Sequence, residues 1–373
     1  MDLLLTLAGA AVVLVTTADI FFSVLFPASR HGPVRKPLST GIWLAFRLVG
    51  GLLHGRRRRN VLSYSGPAVI SATLIGWFLL LTAGFALLFK PALGTAILAD
   101  AGPTPTGWAA AFYYAGFNIT TLGVGDLTPS TGAYRLLTIA AAATGFAYFS
   151  MSITYFLSVY SHLTGRNAYA RGLHHLTGRS GDAAAAIAGI ADDERPDDAR
   201  QHVGAKADYL RQIHQSVCFY PVLRYFHYRD PCYALPRILL VALDTATLIR
   251  SALDPAPYRR LLRSVELAEL MDAADDLLAG LAPEGRIRPP EPAETAQWQE
   301  RFDDAWALLQ RAGVSLRADR AAAAQAYVAE RARWNPPLRA LADIMLYEWA
   351  EVEQDRLADG PRTPPRPRAP ADT

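Results

Sequence analysis

The amino-acid sequence predicts an all-α membrane protein that continues into a helical soluble part. Hydrophobic residues make up 51% of the 373 residues, and charged residues make up only 19%. The charge is unevenly distributed: residues 1–162 hold ten Lys or Arg and four Asp, whereas residues 163–373 hold 27 basic and 30 acidic groups. Long apolar stretches occur in the first of these two regions. This combination is typical of a membrane domain followed by a soluble domain.

Three of the apolar stretches are long enough to cross a membrane as helices. Residues 3–27 contain a single charge, Asp19, whereas residues 61–89 and residues 136–165 contain none. A helix that crosses the hydrocarbon core of a bilayer needs roughly 20 apolar residues. We therefore expect three transmembrane helices.

Asp19 allows two interpretations. A carboxylate within a membrane helix is energetically costly and is by default a functional candidate. The alternative is that Asp19 lies near the cytoplasmic end of its helix and pairs with Arg47 or with the cluster Arg56–Arg59. The sequence leaves both interpretations open.

A fourth apolar stretch, residues 38–54, is shorter and is interrupted by Arg47. We expect it to form an amphipathic helix at the membrane interface, with a fourth crossing as the alternative. With three crossings, the basic clusters at Arg30–Lys36, at Arg56–Arg59 and after residue 165 all lie on one side, which the positive-inside rule assigns to the cytoplasm. The sequence thus predicts a multi-pass protein of the cell membrane with its N-terminus outside and its C-terminal part in the cytoplasm. Residues 1–60 then hold one transmembrane helix and the interfacial helix.

The connection between the second and third spans contains an unusual apolar segment. Thr106–Ile119 carries no charge, and a helix capped by Thr106 would run about 14 residues, or roughly 21 Å, which is too short to cross. Thr120–Asp126 follows with the sequence TTLGVGD. Two glycines one residue apart allow a strand to turn its carbonyl groups to one side, because glycine adopts mirror-image dihedral angles. Four such strands around an axis would form rings of carbonyl oxygens that replace the water shell of an ion.

The motif Thr120–Asp126, followed by Leu127-Thr128-Pro129, closely resembles the selectivity filter of the potassium-channel superfamily. The order of outer helix, pore helix, filter and inner helix over residues 61–162 is also similar to that superfamily. The resemblance implies an ion-channel pore domain over residues 61–165, with K⁺ as the permeant ion and no cofactor. Because each chain carries one filter, it also implies a homotetramer embedded in membrane lipid. The implied ion-binding residues are Thr121, Leu122, Gly123, Val124 and Gly125.

The filter and its surroundings depart from the commonest pattern of the superfamily. Leu122 and Val124 stand where Val and Tyr are commonest. Phe117 stands where the superfamily often has a Glu that partners the filter Asp. The two Trp that are often found on the pore helix are Tyr113 and Tyr114 in this chain.

These departures change the groups that are expected to support the filter. We expect Asp126 to accept a hydrogen bond from Tyr113 or Tyr114. The side chains of Leu122 and Val124 are expected to face away from the ion, so potassium selectivity is still expected, with a weakly selective cation channel as the alternative. The residues predicted to support the filter are Thr120, Asp126, Tyr113, Tyr114 and Phe117.

The third span contains candidates for the gate. Gly145 lies inside an otherwise apolar helix, where it serves either as a hinge or as a site of close packing against the pore helix. Phe149, Ile153 and Leu157 share one helix face and are expected to line the cavity. A hydrophobic constriction of this kind can close a pore by dewetting.

The sequence beyond residue 165 predicts successive helices. We expect a first helical cytoplasmic subdomain over residues 166–281, a second helical segment over residues 293–358 and a disordered tail over residues 359–373. Leu235–Leu253 is the most apolar stretch, but it carries three charged residues. It is therefore expected to be a buried helix of the soluble part.

No motif in the soluble part identifies a ligand or a partner. A nucleic-acid partner is disfavoured, because the basic groups of the chain are either clustered beside apolar segments or matched by acids. Histidines and cysteines could in principle build a metal or pH sensor, but none of their spacings is that of a tight ligand pair, so structural roles are favoured. The residues concerned are His174, His175, His202, His214, His227, Cys218 and Cys232.

The sequence therefore predicts a non-enzymatic protein with a tetrameric channel pore domain, an extra N-terminal transmembrane helix and an α-helical cytoplasmic domain. The predicted function is passive, potassium-selective conduction, gated by the inner helix or the filter under control of the cytoplasmic domain. Besides the weakly selective cation channel, a subunit of a potassium transporter and a non-conducting membrane receptor are less favoured alternatives. The sequence does not predict the stimulus that opens the gate.

Overall fold

The computed structural model of the chain describes residues 2–25, 35–191, 196–282 and 287–353. The chain forms two compact units. The first comprises the residues up to Ser161 together with Cys218–Phe226, and the second comprises His162–Val217 and the residues from His227 onward. The tail that the sequence predicts to be disordered, residues 359–373, lies outside the described residues.

The first unit is built from helices with one short sheet. Three helices are long and apolar enough to cross a membrane, as the sequence predicts, and each of them coincides with most or all of one apolar stretch. The last of them is longer than its apolar stretch, since no proline interrupts the sequence between residues 132 and 176. The helices are α1 (Asp2–Val24), α2 (Arg35–Gly51), α3 (Gly55–Leu62), α4 (Ser65–Phe89), α5 (Trp108–Ile119) and α6 (Gly132–Leu176), of which α6 continues into the second unit.

Helix α1 packs antiparallel against α4. Near the start of α1, a Cβ atom on Gly9 would lie 2.7 Å from the carbonyl oxygen of Gly84, so the two backbones approach closely because both residues are glycines. Nearer the end of α1, Asp19 accepts a hydrogen bond of 2.7 Å from Nε1 of Trp77. From the first contact to the second, the residue numbers rise along α1 and fall along α4, so the two helices are antiparallel.

Helix α2 also packs antiparallel against α4, along the first half of that helix. A Cβ atom on Gly76 would lie 3.2 Å from Leu38, and a Cβ atom on Gly50 would lie 3.0 Å from Leu62. Leu38 and Gly50 are about 18 Å apart along α2, and Leu62 and Gly76 are about 21 Å apart along α3 and α4, so the helices lie side by side. Helix α2, which was expected to form an amphipathic helix at the membrane interface, therefore lies lengthwise on α4, and its place relative to the membrane stays a prediction. With its 17 residues it is not among the three helices long enough to cross.

A two-stranded antiparallel sheet interrupts the expected all-α architecture. Strand β1 (Ile97–Ala99) pairs with β2 (Leu127–Pro129), with Leu98 opposite Thr128. The sheet joins the segment after α4 to the segment that precedes α6. Each strand has only three residues, which is too short for a periodic pattern to predict.

The second unit is built around one buried helix, α9. It contains the C-terminal part of α6 and eight further helices among the described residues. Every residue of α9 is buried except Arg250, so the most apolar stretch of the soluble part is a core helix, as expected. The further helices are α7 (Ala183–Ile190), α8 (Pro196–Phe219), α9 (Leu235–Ala252), α10 (Arg259–Leu262), α11 (Val265–Leu281), α12 (Pro292–Arg311), α13 (Arg320–Ile344) and α14 (Trp349–Glu353).

A buried ionic network joins α9 to the C-terminal helices. Asp244 on α9 accepts hydrogen bonds from Tyr327 at 2.5 Å, from Arg331 at 3.0 Å and from Arg301 at 3.1 Å. Glu353 accepts from the same two arginines at 2.9 Å each. Buried charges remain charged only when they are paired in this way. The network links the two segments expected over residues 166–281 and 293–358, whose described residues fall within the second unit.

Candidate functional site

Helix α5, the predicted pore helix, is short and ends just before residues 121–125, which we call the filter after their predicted role. It begins at Trp108 with Gly107 as its N-cap, two residues later than predicted. Thr106 does not cap the helix; its methyl group lies against Gly94 instead, where an added Cβ atom would come within 2.8 Å. Twelve residues span about 18 Å, so α5 cannot cross a membrane. Its C-terminal end carries the partial negative charge of the helix dipole, which favours a cation.

Tyr114 fixes α5 between α4 and α6 in the first unit, which we call the pore unit. Its fully buried ring lies edge-on to Phe89 at the end of α4, with 4.7 Å between the ring centroids. Its hydroxyl group shares a hydrogen bond of 2.8 Å with Thr138 on α6. Nδ2 of Asn118 donates to the backbone carbonyl of Tyr114 at 2.8 Å. Tyr114 is therefore a structural residue of the pore unit.

The backbone of the filter alternates in handedness. Thr121, Gly123 and Gly125 have φ angles of +56°, +63° and +84°, whereas Leu122 and Val124 are not in the positive region. When left-handed residues alternate with ordinary ones, successive peptide planes turn their carbonyl groups toward the same side. For Thr121 this conformation costs about 1–2 kcal/mol, because its Cβ atom crowds the following carbonyl oxygen.

The carbonyl oxygens of the filter accept no hydrogen bond within the described part of the chain. No donor reaches the carbonyl oxygen of any residue from Thr121 to Gly125. The side chain of Leu122 is 71% exposed, and that of Val124 is also exposed. Backbone polar groups at membrane depth need partners, which here must come from outside the single chain.

Both ends of the filter are fixed by backbone hydrogen bonds. At the end next to α5, the amide of Leu122 donates to the carbonyl of Phe117 at 2.8 Å, and the amide of Thr121 donates to the carbonyl of Asn118 at 3.0 Å. At the opposite end, the amide of Asp100 donates to the carbonyl of Asp126 at 2.9 Å. The filter is thus held between the end of α5 and the two-stranded sheet.

The predicted supporting residues surround the filter in different ways. The side chains of Tyr113 and Asp126 interact, whereas Tyr114 is occupied by Thr138. Phe117 is buried between the two tyrosines, with ring centroids 5.2 and 5.1 Å away. The hydroxyl of Thr120 donates back to α5, to the carbonyl of Gly116 at 2.8 Å. Of the two tyrosines considered for Asp126, the structure brings Tyr113 to it.

Gly145 is a site of close packing. A Cβ atom on this residue would lie 1.9 Å from the carbonyl oxygen of Ile119, the last residue of α5. Helix α6 therefore touches the backbone of the pore helix where it meets the filter. This contact supports the packing interpretation of Gly145, and the hinge interpretation stays a prediction.

The predicted gate residues share the exposed face of α6. Phe149, Ile153 and Leu157 are exposed in the single chain, by 41%, 61% and 61%. The opposite face is buried and includes Tyr148 and Tyr155. An apolar face that is exposed in one chain of a membrane protein faces lipid, lines a cavity or contacts another copy.

Two polar contacts that the sequence does not reveal hold the long helices together. The fully buried Asp19 accepts from Trp77, and the hydroxyl of Tyr148 donates to the carbonyl of Leu74 at 2.8 Å. Both contacts join residues more than 50 positions apart within apolar stretches. No local pattern predicts such pairs.

The histidines and cysteines considered for a metal site do not assemble into one. In the part of the chain that the structure describes, no group of three or more His, Cys, Asp or Glu side chains is arranged to hold a metal ion. Cys232 is buried and Cys218 is exposed. The hydroxyl of Ser216 shares a hydrogen bond of 2.8 Å with His162 within the second unit.

A match to a known protein family covers most of α4, all of α5 and much of α6. Residues 72–162 match a protein family described as "Ion channel". Over 170 residues, the chain is 28% identical to the uncharacterized membrane protein YdjJ of Bacillus subtilis (strain 168). The matched region covers 46% of this chain and 48% of that protein. The chain thus spans about half the length of the curated relative it matches. No solved structure matches the chain. The family match and the three apolar helices identify an ion-channel domain in a multi-pass membrane protein.

Proposed function

We propose that the protein is a potassium-selective channel that conducts K⁺ passively across the cell membrane. The observation that carries this proposal is the filter backbone from Thr121 to Gly125, which alternates in handedness and has carbonyl oxygens that accept no hydrogen bond from the described residues. Rings of such oxygens replace the hydration shell of an ion.

The side chains of the filter have secondary roles in this proposal. The hydroxyl of Thr121 donates to the carbonyl of Thr120 at 2.7 Å, so its oxygen lone pairs remain available to a cation at the inner end of the filter. Leu122 and Val124 are apolar and offer no ligand, so the backbone alone coordinates the ion along the rest of the filter. The negative end of α5 adds a favourable field at the entrance from the cavity.

A ring of carbonyl oxygens requires four copies of the chain. Each chain contributes one filter strand, and Leu122 and Val124 are exposed where neighbouring strands and pore helices would pack. The exposed apolar face of α6, with Phe149, Ile153 and Leu157, would then surround the cavity. We therefore propose a homotetramer in which this face forms the gate.

The proposed orientation follows from the distribution of basic residues. Arg56–Arg59 lies just before α4, and no acidic residue occurs between residues 20 and 99. The positive-inside rule places this basic cluster in the cytoplasm, so the filter opens toward the outside and the second unit is cytoplasmic. We propose that the second unit controls the gate.

Ion flux from liposomes tests this proposal. The purified full-length protein is reconstituted into potassium-loaded liposomes, and the release of K⁺ is followed with and without a countercharge pathway. Because the wild-type gate can be closed, the Ile153→Asn variant is measured in parallel, since a polar residue keeps a hydrophobic constriction hydrated. We expect K⁺ release from at least the Ile153→Asn protein. Absence of release from both proteins, with the tetramer intact, would contradict the channel proposal and favour a non-conducting membrane receptor.

The weakly selective cation channel remains a second candidate because of the residues around the filter. Phe117, which offers no hydrogen-bonding group, lies behind the filter, and Asp126 interacts with the single hydroxyl group of Tyr113. A filter held by fewer polar contacts is freer to adapt to a smaller ion. Equal rates of K⁺ and Na⁺ release would support this candidate.

A further inference from the structure

A segment from the second half of the sequence belongs to the pore unit. Residues 218–226, which we call the returning segment, begin with the last two residues of the long helix α8 and contain a 3₁₀ helix at Pro221–Tyr225. They are part of the first compact unit, whereas the residues on both sides of them belong to the second. Two of its apolar side chains, Val222 and Leu223, are buried.

The returning segment contacts the start of α4. The fully buried hydroxyl group of Ser65 lies 2.6 Å from the carbonyl oxygen of Tyr225, to which it can donate its hydrogen. The ring of Phe226 lies directly on Gly66, where a Cβ atom would come within 2.5 Å of the ring. The contact therefore depends on a glycine at position 66 and leaves no free space.

The same segment contacts α6 beside the gate residues. The rings of Tyr220 and Tyr155 have centroids 6.0 Å apart, and those of Phe226 and Tyr160 have centroids 6.1 Å apart. Tyr155 lies on the buried face of α6, opposite the exposed face that carries Ile153. The returning segment thus holds α6 from the side that faces away from the proposed cavity.

The covalent chain links the returning segment to the second unit at both ends. Val217 precedes it and His227 follows it, and both belong to the second unit. The chain therefore passes between the two units at three points, after Ser161, after Val217 and after Phe226. The returning segment and the end of α6 are therefore both covalently continuous with the second unit.

We propose that the returning segment positions the gate, with Tyr220 and Phe226 holding the end of α6 toward α4 and away from the pore axis. This inference rests on the proposed channel function. The returning segment contacts the buried face of α6. When this contact is lost, the apolar face with Ile153 and Leu157 approaches the pore axis and narrows the pore. The second unit then regulates conduction by moving residues 218–226.

The experiment compares K⁺ release from liposomes for Phe226→Ala and for Phe219→Ala. Phe219 lies in the same segment but is 43% exposed, so its removal is the matched control. We expect Phe226→Ala to lower the flux by roughly tenfold, a change within the range typical of coupling between two sites. We expect Phe219→Ala to conduct like the wild type. The ratio of K⁺ to Na⁺ flux should be unchanged, since the filter is not touched.

A rescue measurement separates positioning of the gate from a general structural effect. Adding Ile153→Asn to the Phe226→Ala protein should restore the flux, because a hydrated gate no longer depends on the position of α6. If Phe226→Ala does not yield a folded tetramer, Gly66→Ala provides the same test, because its Cβ atom displaces the ring of Phe226. Its control is Gly51→Ala, where no atom lies within 4 Å of the added Cβ.

The outcomes distinguish this inference from the proposed function. If neither the wild type nor Ile153→Asn conducts, the channel function itself is wrong. If they conduct and both Phe226→Ala and Gly66→Ala keep the wild-type flux, the channel function stands and the positioning role of the returning segment is wrong. A reduced flux that Ile153→Asn does not restore would also overturn the positioning role.

Discussion

At the scale of single residues, the filter depends on backbone conformation more than on side-chain chemistry. Thr121, Gly123 and Gly125 all have positive φ angles, but only the two glycines adopt them without strain. Thr121 accepts the strain because the amide groups of Thr121 and Leu122 are held by the carbonyls at the end of α5. Substitution of either glycine should therefore affect conduction even though glycine offers no ligand side chain.

The first prediction concerns Gly123→Ala. Each of four filter strands would carry about 1–2 kcal/mol of additional strain, so the carbonyl oxygens should turn away from the axis and the K⁺ flux should fall by more than about tenfold. Gly132→Ala is the control, because Gly132 has an ordinary φ angle and no atom within 4 Å of the added Cβ. A Gly123→Ala protein that conducts like the control would show that the backbone does not coordinate the ion.

The second prediction separates the two tyrosines of the pore helix. Tyr113→Phe removes the hydroxyl group that interacts with Asp126 and should make the flux decay faster during a sustained gradient. Tyr114→Phe removes the hydrogen bond to Thr138 and should lower the stability of the protein by about 0.5–1.5 kcal/mol without changing that decay. The two variants are compared by time-resolved K⁺ flux and by thermal unfolding. Unchanged flux in both variants would contradict a role for tyrosine behind the filter.

Residues of the candidate site are predictable from the sequence where the signal is local. Thr120–Asp126 is recognised from seven consecutive letters, because they resemble a known filter motif and because the two glycines allow the alternating backbone geometry. The partners Trp77 of Asp19 and Thr138 of Tyr114 are not predictable in this way. They lie in apolar helices whose relative rotation is set by packing and not by any local pattern.

At the scale of elements, the contact between α6 and the end of α5 ties the inner helix to the filter. Gly145 meets the carbonyl of Ile119, one residue before Thr120. Any rotation or tilt of α6 at this level therefore changes the support of the filter. The contact provides a direct physical link between the inner helix and the filter.

The third prediction tests this link with Gly145→Ala. The added Cβ atom cannot be accommodated beside a backbone carbonyl, so we expect a loss of about 1–3 kcal/mol of stability and a lower apparent melting temperature. Gly172→Ala on the same helix is the control, since no atom lies within 4 Å of its added Cβ, and alanine should stabilise the helix by up to about 1 kcal/mol. Equal melting temperatures for the two variants would contradict the packing role of Gly145.

A helix or strand is predictable from the sequence when its hydrophobic pattern is long. The three membrane helices follow from their long apolar stretches. The orientation of α2 does not, because the same amphipathic pattern fits an interface and the side of α4 equally well. Helix α13 continues through Pro336 and Pro337, where the sequence favours a break, because burial of the surrounding residues offsets the lost backbone hydrogen bonds.

At the scale of the whole molecule, the second unit contains a charge that its own fold does not neutralise. Lys206 on α8 is buried, and its ammonium group has no hydrogen-bond partner among the described residues. Burial lowers the pKa of Lys206 from 10.5 to about 8. Below pH 8 the folded protein therefore carries an unfavourable buried charge.

The fourth prediction follows from the sign of this shift. Between pH 8 and pH 10.5, Lys206 is neutral in the folded state and protonated in the unfolded state, so stability should rise with pH across this window. Lys206→Met should stabilise the protein by about 1–3 kcal/mol at pH 7, and its advantage should fade as the pH rises through the window. Melting curves at pH 7, 9 and 10.5 measure this, with the exposed Arg260→Met as control. An advantage of Lys206→Met that does not change with pH would contradict the buried charge.

The organisation of the whole chain is only partly predictable. The division into a membrane part and a soluble part follows from the charge distribution. The return of residues 218–226 to the pore unit does not, because it depends on contacts with Ser65 and Gly66 more than 150 positions away. The union of residues 166–281 and 293–358 likewise depends on the network around Asp244. Such long-range contacts are fixed by packing after the local elements have formed.

The measurement that tests the central claim most directly is the reversal potential of currents through the purified protein in a bilayer, with K⁺ on one side and Na⁺ on the other. The Ile153→Asn protein is recorded beside the wild type so that a closed gate does not hide the current. We predict a reversal potential close to the potassium equilibrium value. The potassium current should be lost in Gly123→Ala. A reversal potential near zero in the intact protein would contradict potassium selectivity and identify a weakly selective cation channel.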